Sequence, residues 1–282
     1  MKYVGNYHFQ SFLQPRQRDC RKLAQRLGYT CIAREILLEA SKEFNIPEAK
    51  LFRALSTQSS FLDRISSKKH RYIAYIQSSV LHALNCDNVV YHGFAGHFFV
   101  KDIPHVFKVR IIADPDERAK LVMARDGVSK DDALHFLTKL DEQRTKWSQF
   151  FYGINTSDPS LYDLVIHIKR ISVDDAVEII SNSVRLERFQ TTPDSKEQMN
   201  DLCLAAAVRA SLLDIDEDVE VVAQKGEVTV RTRSPQFVQK GLAQHIKDIV
   251  KKATCANDVR VETFPTSPLG IWTVVEADKK LN

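Results

Sequence analysis

The chain has 282 residues, a length that admits two domains, and its 44% apolar and 27% charged content is that of an ordinary globular protein. The net charge of +4 is too mild to argue for nucleic acid, and no run approaches the ~18 apolar residues a membrane helix needs. The opening residues lack a basic region followed by an apolar stretch, so no secretory signal is expected and the chain reads as cytoplasmic.

Residues 1–30 hold Lys2, Arg16, Arg18, Arg21, Lys22 and Arg26 against Asp19 alone, which is either a solvated helix face or an anion site. Cys20, Leu23, Ala24 and Leu27 recur on one side, predicting a helix over 19–27 that Gly28 ends in the left-handed conformation. "YTCIAR" is a short strand and "EILLEASKEF" a helix. "NIPEAKLFRAL" restarts a helix with Asn45 as cap and Pro47 in its first turn, and "HRYIAYIQSSVLHALNC" is a longer amphipathic helix. "NVVYHG" and "HVFKVRIIA" are apolar, β-branched runs bounded by turn residues, the pattern of buried parallel strands. "PDERAKLVMARDG" and "SKDDALHFLTKLDEQRTKWSQFFYG" are helices, the second opened by Ser129 with Asp132 three residues on. "YDLVIHI" is a last buried strand, with Asp163 anchoring its turn, and "SVDDAVEIISNSV" is its serine-capped helix.

Strands alternating with helices over 1–184 mean a parallel α/β sheet. Ligands of such sheets sit at the strand C-terminal ends, here 92–97 and 113–118. Residues 185–197 read as a linker. A smaller α+β unit follows within 198–282: a helix over 197–213, a strand over 218–223, a turn at Lys225 and Gly226, a strand over 227–233, a helix over 235–253 and a strand over 258–263.

The five cysteines form no CxxC pair, which suggests reduced thiols. Cys20, between Arg18 and Arg21, is either modestly reactive or, more plainly, a buried inert thiol. His92 and His97, five residues apart, suit no regular metal site and read as polar packing beside a glycine turn, so no metal site is expected.

"LAQRLGYTCIAREILLEASKEFNIPEAKL", "NVVYHGFAGHFFVKDIPHVFKVRIIADPDERAKLVMAR", "DEQRTKWSQFFYG" and "DPSLYDLVIHIKRISVDDAVEII" resemble, in order, the cytidylate-kinase-like family of nucleoside-monophosphate kinases, over roughly residues 8–182. The C-terminal region resembles a BON domain in its element order and the Gly226 turn. The first resemblance implies a P-loop NTPase-like fold with a parallel five-stranded sheet flanked by helices. It also implies ATP, magnesium and phosphoryl transfer to CMP or a similar acceptor. The glycine loop of that fold points backbone N–H groups at phosphates, and its lysine holds the β/γ oxygens.

Aligned on the helix and its Gly28 end, the G-x-x-x-x-G-K pattern falls on Ser11, Phe12, Leu13, Gln14, Pro15, Arg16 and Gln17, with Arg18 in place of the usual hydroxyl. Both glycines and the lysine are replaced. After the third strand Phe94 follows Gly93 where family members often carry an arginine, and no acid ends that strand. The resemblance puts Arg34, Arg71, Gly93 and Phe94 in the acceptor region beside Lys68 and Lys69. It puts Lys139, Asp141 and Arg144 in the lid, and makes Arg118, Arg125 and Arg144 candidate phosphate clamps. Arg34, Arg118, Arg125 and Arg144 are expected to converge on one cleft, although Asp141 and Arg144, three apart, also suit a simple helix ion pair.

Two functions follow. One is an ATP-dependent cytidylate kinase in which Arg16 and Arg18 partly replace the lysine through bidentate phosphate contacts. The other is a non-catalytic sensor of a CMP-like nucleotide or other phosphate ligand, with the BON-like domain reporting to a protein partner. Nucleic-acid binding lacks a stacking-aromatic platform.

Overall fold

A computed structural model describes residues 2–7, 14–33, 35–56, 67–93, 96–234 and 239–265. Five parallel strands form the first sheet, in the order β2-β3-β1-β4-β5: β1 (Lys2–Tyr7), β2 (Thr30–Ile32), β3 (Val89–His92), β4 (Val106–Ala113) and β5 (Leu164–Ile168). Parallel neighbours need crossovers, and helices supply them. α1 (Gln14–Leu27) joins β1 to β2. α2 (Glu35–Glu43), α3 (Glu48–Ser56) and α4 (Ser67–Leu84) join β2 to β3. α5 (Gly96–Phe99) precedes β4, α6 (Pro115–Asp126) and α7 (Lys130–Tyr152) precede β5, and α8 (Val173–Ser183) follows it.

The period of two along a strand explains the two layers. In β3, Val89 and Tyr91 enter a cluster with α2, α3 and α4, while Val90 enters the opposite one with α1 and α8. In β4, Phe107, Val109 and Ile111 face α1 and α8. Lys108, Arg110 and Ile112 therefore share the other face of β4, the side on which Trp147 of α7 is buried. Trp147 also donates from Nε1 to the Ala54 carbonyl at 3.0 Å, tying α7 to α3.

Several ends form as the local chemistry dictates. Gly28 (φ 71°) closes α1, and the hydroxyl of Ser129 accepts from the Asp132 N–H at the start of α7. Ser172 and Asp175 make a reciprocal capping box on α8. Asp163 stitches β5 to β4: its carboxylate accepts from the Lys108 N–H at 2.7 Å, and its own N–H donates to the Lys108 carbonyl.

Other expectations need correction. The first helix starts at Gln14, not at 19, so the rear half of the expected phosphate loop is helical backbone. Asn45 (φ 52°) ends α2 instead of capping α3, whose first turn closes on the Pro47 carbonyl. Residues 185–197 are no open linker. They hold a 3-10 turn at Glu187–Phe189, with Phe189 packed on Phe107, and the start of α9 (Pro193–Leu212), capped by Thr192 and Ser195.

The second sheet, β6-β7-β8, comprises β6 (Glu220–Gln224), β7 (Glu227–Ser234) and β8 (Asp258–Pro265), with α10 (Gln239–Ala253) before β8. β6 and β7 are antiparallel and β7 and β8 parallel. Lys225 (φ 53°) and Gly226 (φ 76°) make the hairpin turn, and Asp201 of α9 accepts from both of their N–H groups. α9 belongs to both cores. Met199 and Ala206 pack with α4 in the core of the first sheet, whereas Val208, Ala210 and Leu212 pack under the second. Ala74 and Tyr75 of α4 join that second cluster, so the two cores meet along the α4–α9 seam. No helix among the described residues is long and apolar enough to cross a membrane.

Candidate functional site: a guanidinium cluster at the end of β4

α6 and α7 form a hairpin sealed by Ala119, Val122, Ala133 and Leu137. That packing sets Arg118 of α6 beside Asp141 of α7. The pair is bidentate, Nη1 to Oδ2 at 2.5 Å and Nη2 to Oδ1 at 2.9 Å, the geometry that suits a planar guanidinium to a carboxylate. Arg144 stands one turn further along α7. Burial pushes its guanidinium down to about 10; the Asp141 charge opposes that shift and the Arg118 charge adds to it. Arg110 approaches from β4, its guanidinium carbon 5.7 Å from the centre of the Tyr162 ring, and burial lowers it as well. Tyr162 is fixed in turn by its hydroxyl, which donates to the Thr156 carbonyl at 3.1 Å.

A cavity of about 200 Å³ opens here, lined by Arg110, Ile112, Ala113, Arg118, Asp141, Thr145 and Ser157. It lies at the C-terminal end of β4, the edge where open α/β sheets take their ligands. Arg110, Arg118 and Asp141 share its wall, and Arg144 lies close enough to feel the charges of Asp141 and Arg118. Just outside the cavity, Asp114 follows β4 and receives Lys169 Nζ at 2.7 Å and His167 Nε2 at 2.9 Å. The Lys169 contact, first, and then His167 hold its carboxyl below the usual range.

The clamp residues expected from sequence separate into two groups. Arg118 and Arg144 come together about Asp141. Arg125 lies two turns along α6, about 10 Å away at 1.5 Å per residue, and is paired with the neighbouring Asp126. The Asp141 carboxylate is taken across the hairpin by Arg118, not along the helix by Arg144 alone. Lys139 is exposed on α7.

Of the acceptor group, Arg71 is drawn elsewhere, to Asp214, Glu217 and the Tyr75 hydroxyl. Lys69 lies over the Phe151 ring at 5.4 Å. A side chain at Gly93 would meet the Tyr91 hydroxyl at 2.5 Å, so close packing explains that glycine. His97 is buried and stacks on Tyr162. Ser11, Arg34 and Phe94, and the side chains of Arg16, Gln17, Arg18 and Lys68, lie outside the described residues. Arg110 was not anticipated. Its signal was present, since Lys108 and Arg110 interrupt an apolar strand at a spacing of two.

Among the described residues no group of three or more His, Cys, Asp or Glu side chains is placed to hold a metal, and Asp114 and Asp141 at this edge are paired with cationic side chains.

The cytidylate kinase-like family matches residues 18–170, more than half of the chain. The chain belongs to this family. Its match spans every strand after β1 in the first sheet and the whole guanidinium cluster, and begins at Arg18. Among the family's curated members, the cytidylate kinase of Pyrobaculum arsenaticum is 30% identical over 156 residues, covering 54% of this chain and 84% of the relative. That of Saccharolobus islandicus is 22% identical over 179 residues, covering 62% and 94%. Among solved structures, an uncharacterized protein from Eubacterium ventriosum aligns with a TM-score of 0.49 and 19% identity over 66% of this chain and all of its own. A shikimate kinase from Bacteroides thetaiotaomicron aligns with a TM-score of 0.40 and 12% identity over 65% and 97%.

Proposed function

We propose that this chain binds a CMP-like nucleotide, or another phosphate ligand, through Arg110, Arg118 and Arg144, and that ATP-dependent phosphoryl transfer is weak or lost. The observation that carries this reading is the cavity at the C-terminal end of β4, whose wall includes Arg110 and Arg118, with Arg144 one turn beyond Asp141. Guanidinium groups take phosphate oxygens through paired, charge-assisted hydrogen bonds, and this edge is where open α/β sheets bind their ligands. The cavity, at about 200 Å³, is smaller than the ~300–1,000 Å³ of whole small-molecule sites. It therefore suits the phosphate end of a ligand whose remainder extends beyond it. CMP is the first choice because relatives in the family are named cytidylate kinases.

Loss of phosphoryl transfer is argued from Ser11, Arg16, Gln17 and Arg18. These positions lack the glycines that let backbone N–H groups approach a triphosphate, the lysine, and the hydroxyl for magnesium. Removing one well-placed electrostatic donor typically costs ~10²–10³ in rate. ATP and magnesium belong to the family's reaction, and no step here is routed through them. The C-terminal unit, BON-like in element order, is the surface we assign to a protein partner.

Calorimetric titration separates this reading from a working kinase. CMP is expected to bind without ATP, and a coupled assay with ATP, magnesium and CMP is expected to show little turnover. Turnover at the ~1–100 s⁻¹ of ordinary kinases would overturn the loss of activity. Absence of heat with CMP and with inorganic phosphate would overturn the binding site.

A further inference from the structure

α1 and the edge strand β2 meet at two sulfur atoms. Cys20 projects from the inner face of α1 beside Leu23 and Ala24 and is fully buried. Cys31, the middle residue of β2, is half-buried and packs on the same cluster. Their Sγ atoms are 2.8 Å apart, less than an ångström longer than the ~2.05 Å disulfide bond. The cysteines are eleven residues apart in sequence and on different elements, so the contact is a product of the fold.

The geometry points to Cys20 and Cys31 as a reversible dithiol–disulfide pair, oxidised by a small-molecule disulfide of the glutathione class, that pins α1 to β2. The pairing does not rest on the nucleotide reading. Cys31 is the attacking thiol because it is the more accessible of the two. The bond between them lowers the Cys31 thiol and, together with burial, raises that of Cys20. The Cys31 thiolate attacks one sulfur of the small disulfide, forming a mixed disulfide and expelling one thiolate. Cys20 then gives up its proton and attacks the Cys31 sulfur, expelling the second small thiolate. Two protein thiols are oxidised, one small disulfide is reduced, and the two protons released by the cysteines end on the two small thiols.

The test uses the full chain with the exposed Cys86 and Cys255 replaced by serine, since these two take up glutathione unassisted. Folded protein is incubated with oxidised glutathione, quenched, and its thiols are counted in denaturant, followed by peptide mapping. The expected result is a fall from three thiols to one, a linked peptide pair containing Cys20 and Cys31, and recovery of three with dithiothreitol. In the same background, Cys31→Ser and, separately, Cys20→Ala keep Cys203 and form no linked pair. The oxidised protein also melts above the reduced one, a difference that dithiothreitol removes. A stable glutathione adduct on Cys31, a link to Cys203, or an unchanged count would each overturn the proposal.

Discussion

Two arginines are bonded to acidic side chains, Arg118 on α6 and Arg71 on α4, and their surroundings differ. At the α6–α7 hairpin, Arg118 shares Asp141 with a region that also holds Arg110 and Arg144. Burial there lowers both Arg110 and Arg144. At the α4–α9 seam, Arg71 faces two carboxylates, Asp214 and Glu217, and the Tyr75 hydroxyl, then the Asp214 charge, push its guanidinium up. The first arrangement borders a cavity, whereas the second ties α4 to the segment that follows α9. An arginine's role here is set by the groups around it, which its place in the chain does not reveal.

The largest effect that would test this division is at the seam. Met199 is fully buried where α9 meets α4, and Met199→Ala is expected to cost about 2–5 kcal/mol in urea unfolding, the usual range for such truncations. Phosphate or CMP binding should survive in the folded protein. A loss of binding comparable to that of a cavity variant would break the division between the two regions.

Arg118→Ala comes next. It removes two charge-assisted hydrogen bonds and leaves Asp141 short of its partner. A loss of about 1.5–3 kcal/mol is expected, together with loss of the rise in thermal midpoint expected from phosphate in the parent protein. Retained phosphate stabilisation would take Arg118 out of the site.

Arg71→Met sharpens the contrast, because Asp214 is largely exposed and Glu217 partly so. The expected cost is only about 0–1 kcal/mol, with ligand binding intact. Arg144→Met comes last and is read in binding alone: the response to phosphate is expected to disappear. A retained response would take Arg144 out of the site.

What the sequence reveals about this molecule divides by range. Ser129 and Ser172 announce their helices because a cap is satisfied within three residues. The unbroken apolar run in "NVVYHG" marks a strand because both of its faces are buried. Arg71 misled because its acidic partners lie 143 and 146 positions away, beyond any local pattern. Cys20 and Cys31 showed no motif because a helix–strand contact, not a spacing of two, brings them together. The stretch at 185–197 looked open because its anchor, Phe189 on Phe107, is a tertiary contact. The cluster at the end of β4 was half legible. Family likeness singled out Arg118 and Arg144, but the face of β4 that Arg110 occupies emerges only once the strand is paired.

The shared helix α9 also fixes an order of events during synthesis. Nascent chains fold from the N-terminus as they emerge, and here all five strands of the first sheet are made before residue 193 appears. Until then the side of α4 that receives Met199, Leu202, Cys203 and Ala206 has no cover. The newborn sheet must carry an apolar strip until α9 arrives, and a chaperone that recognises exposed apolar helix would find its target in that interval.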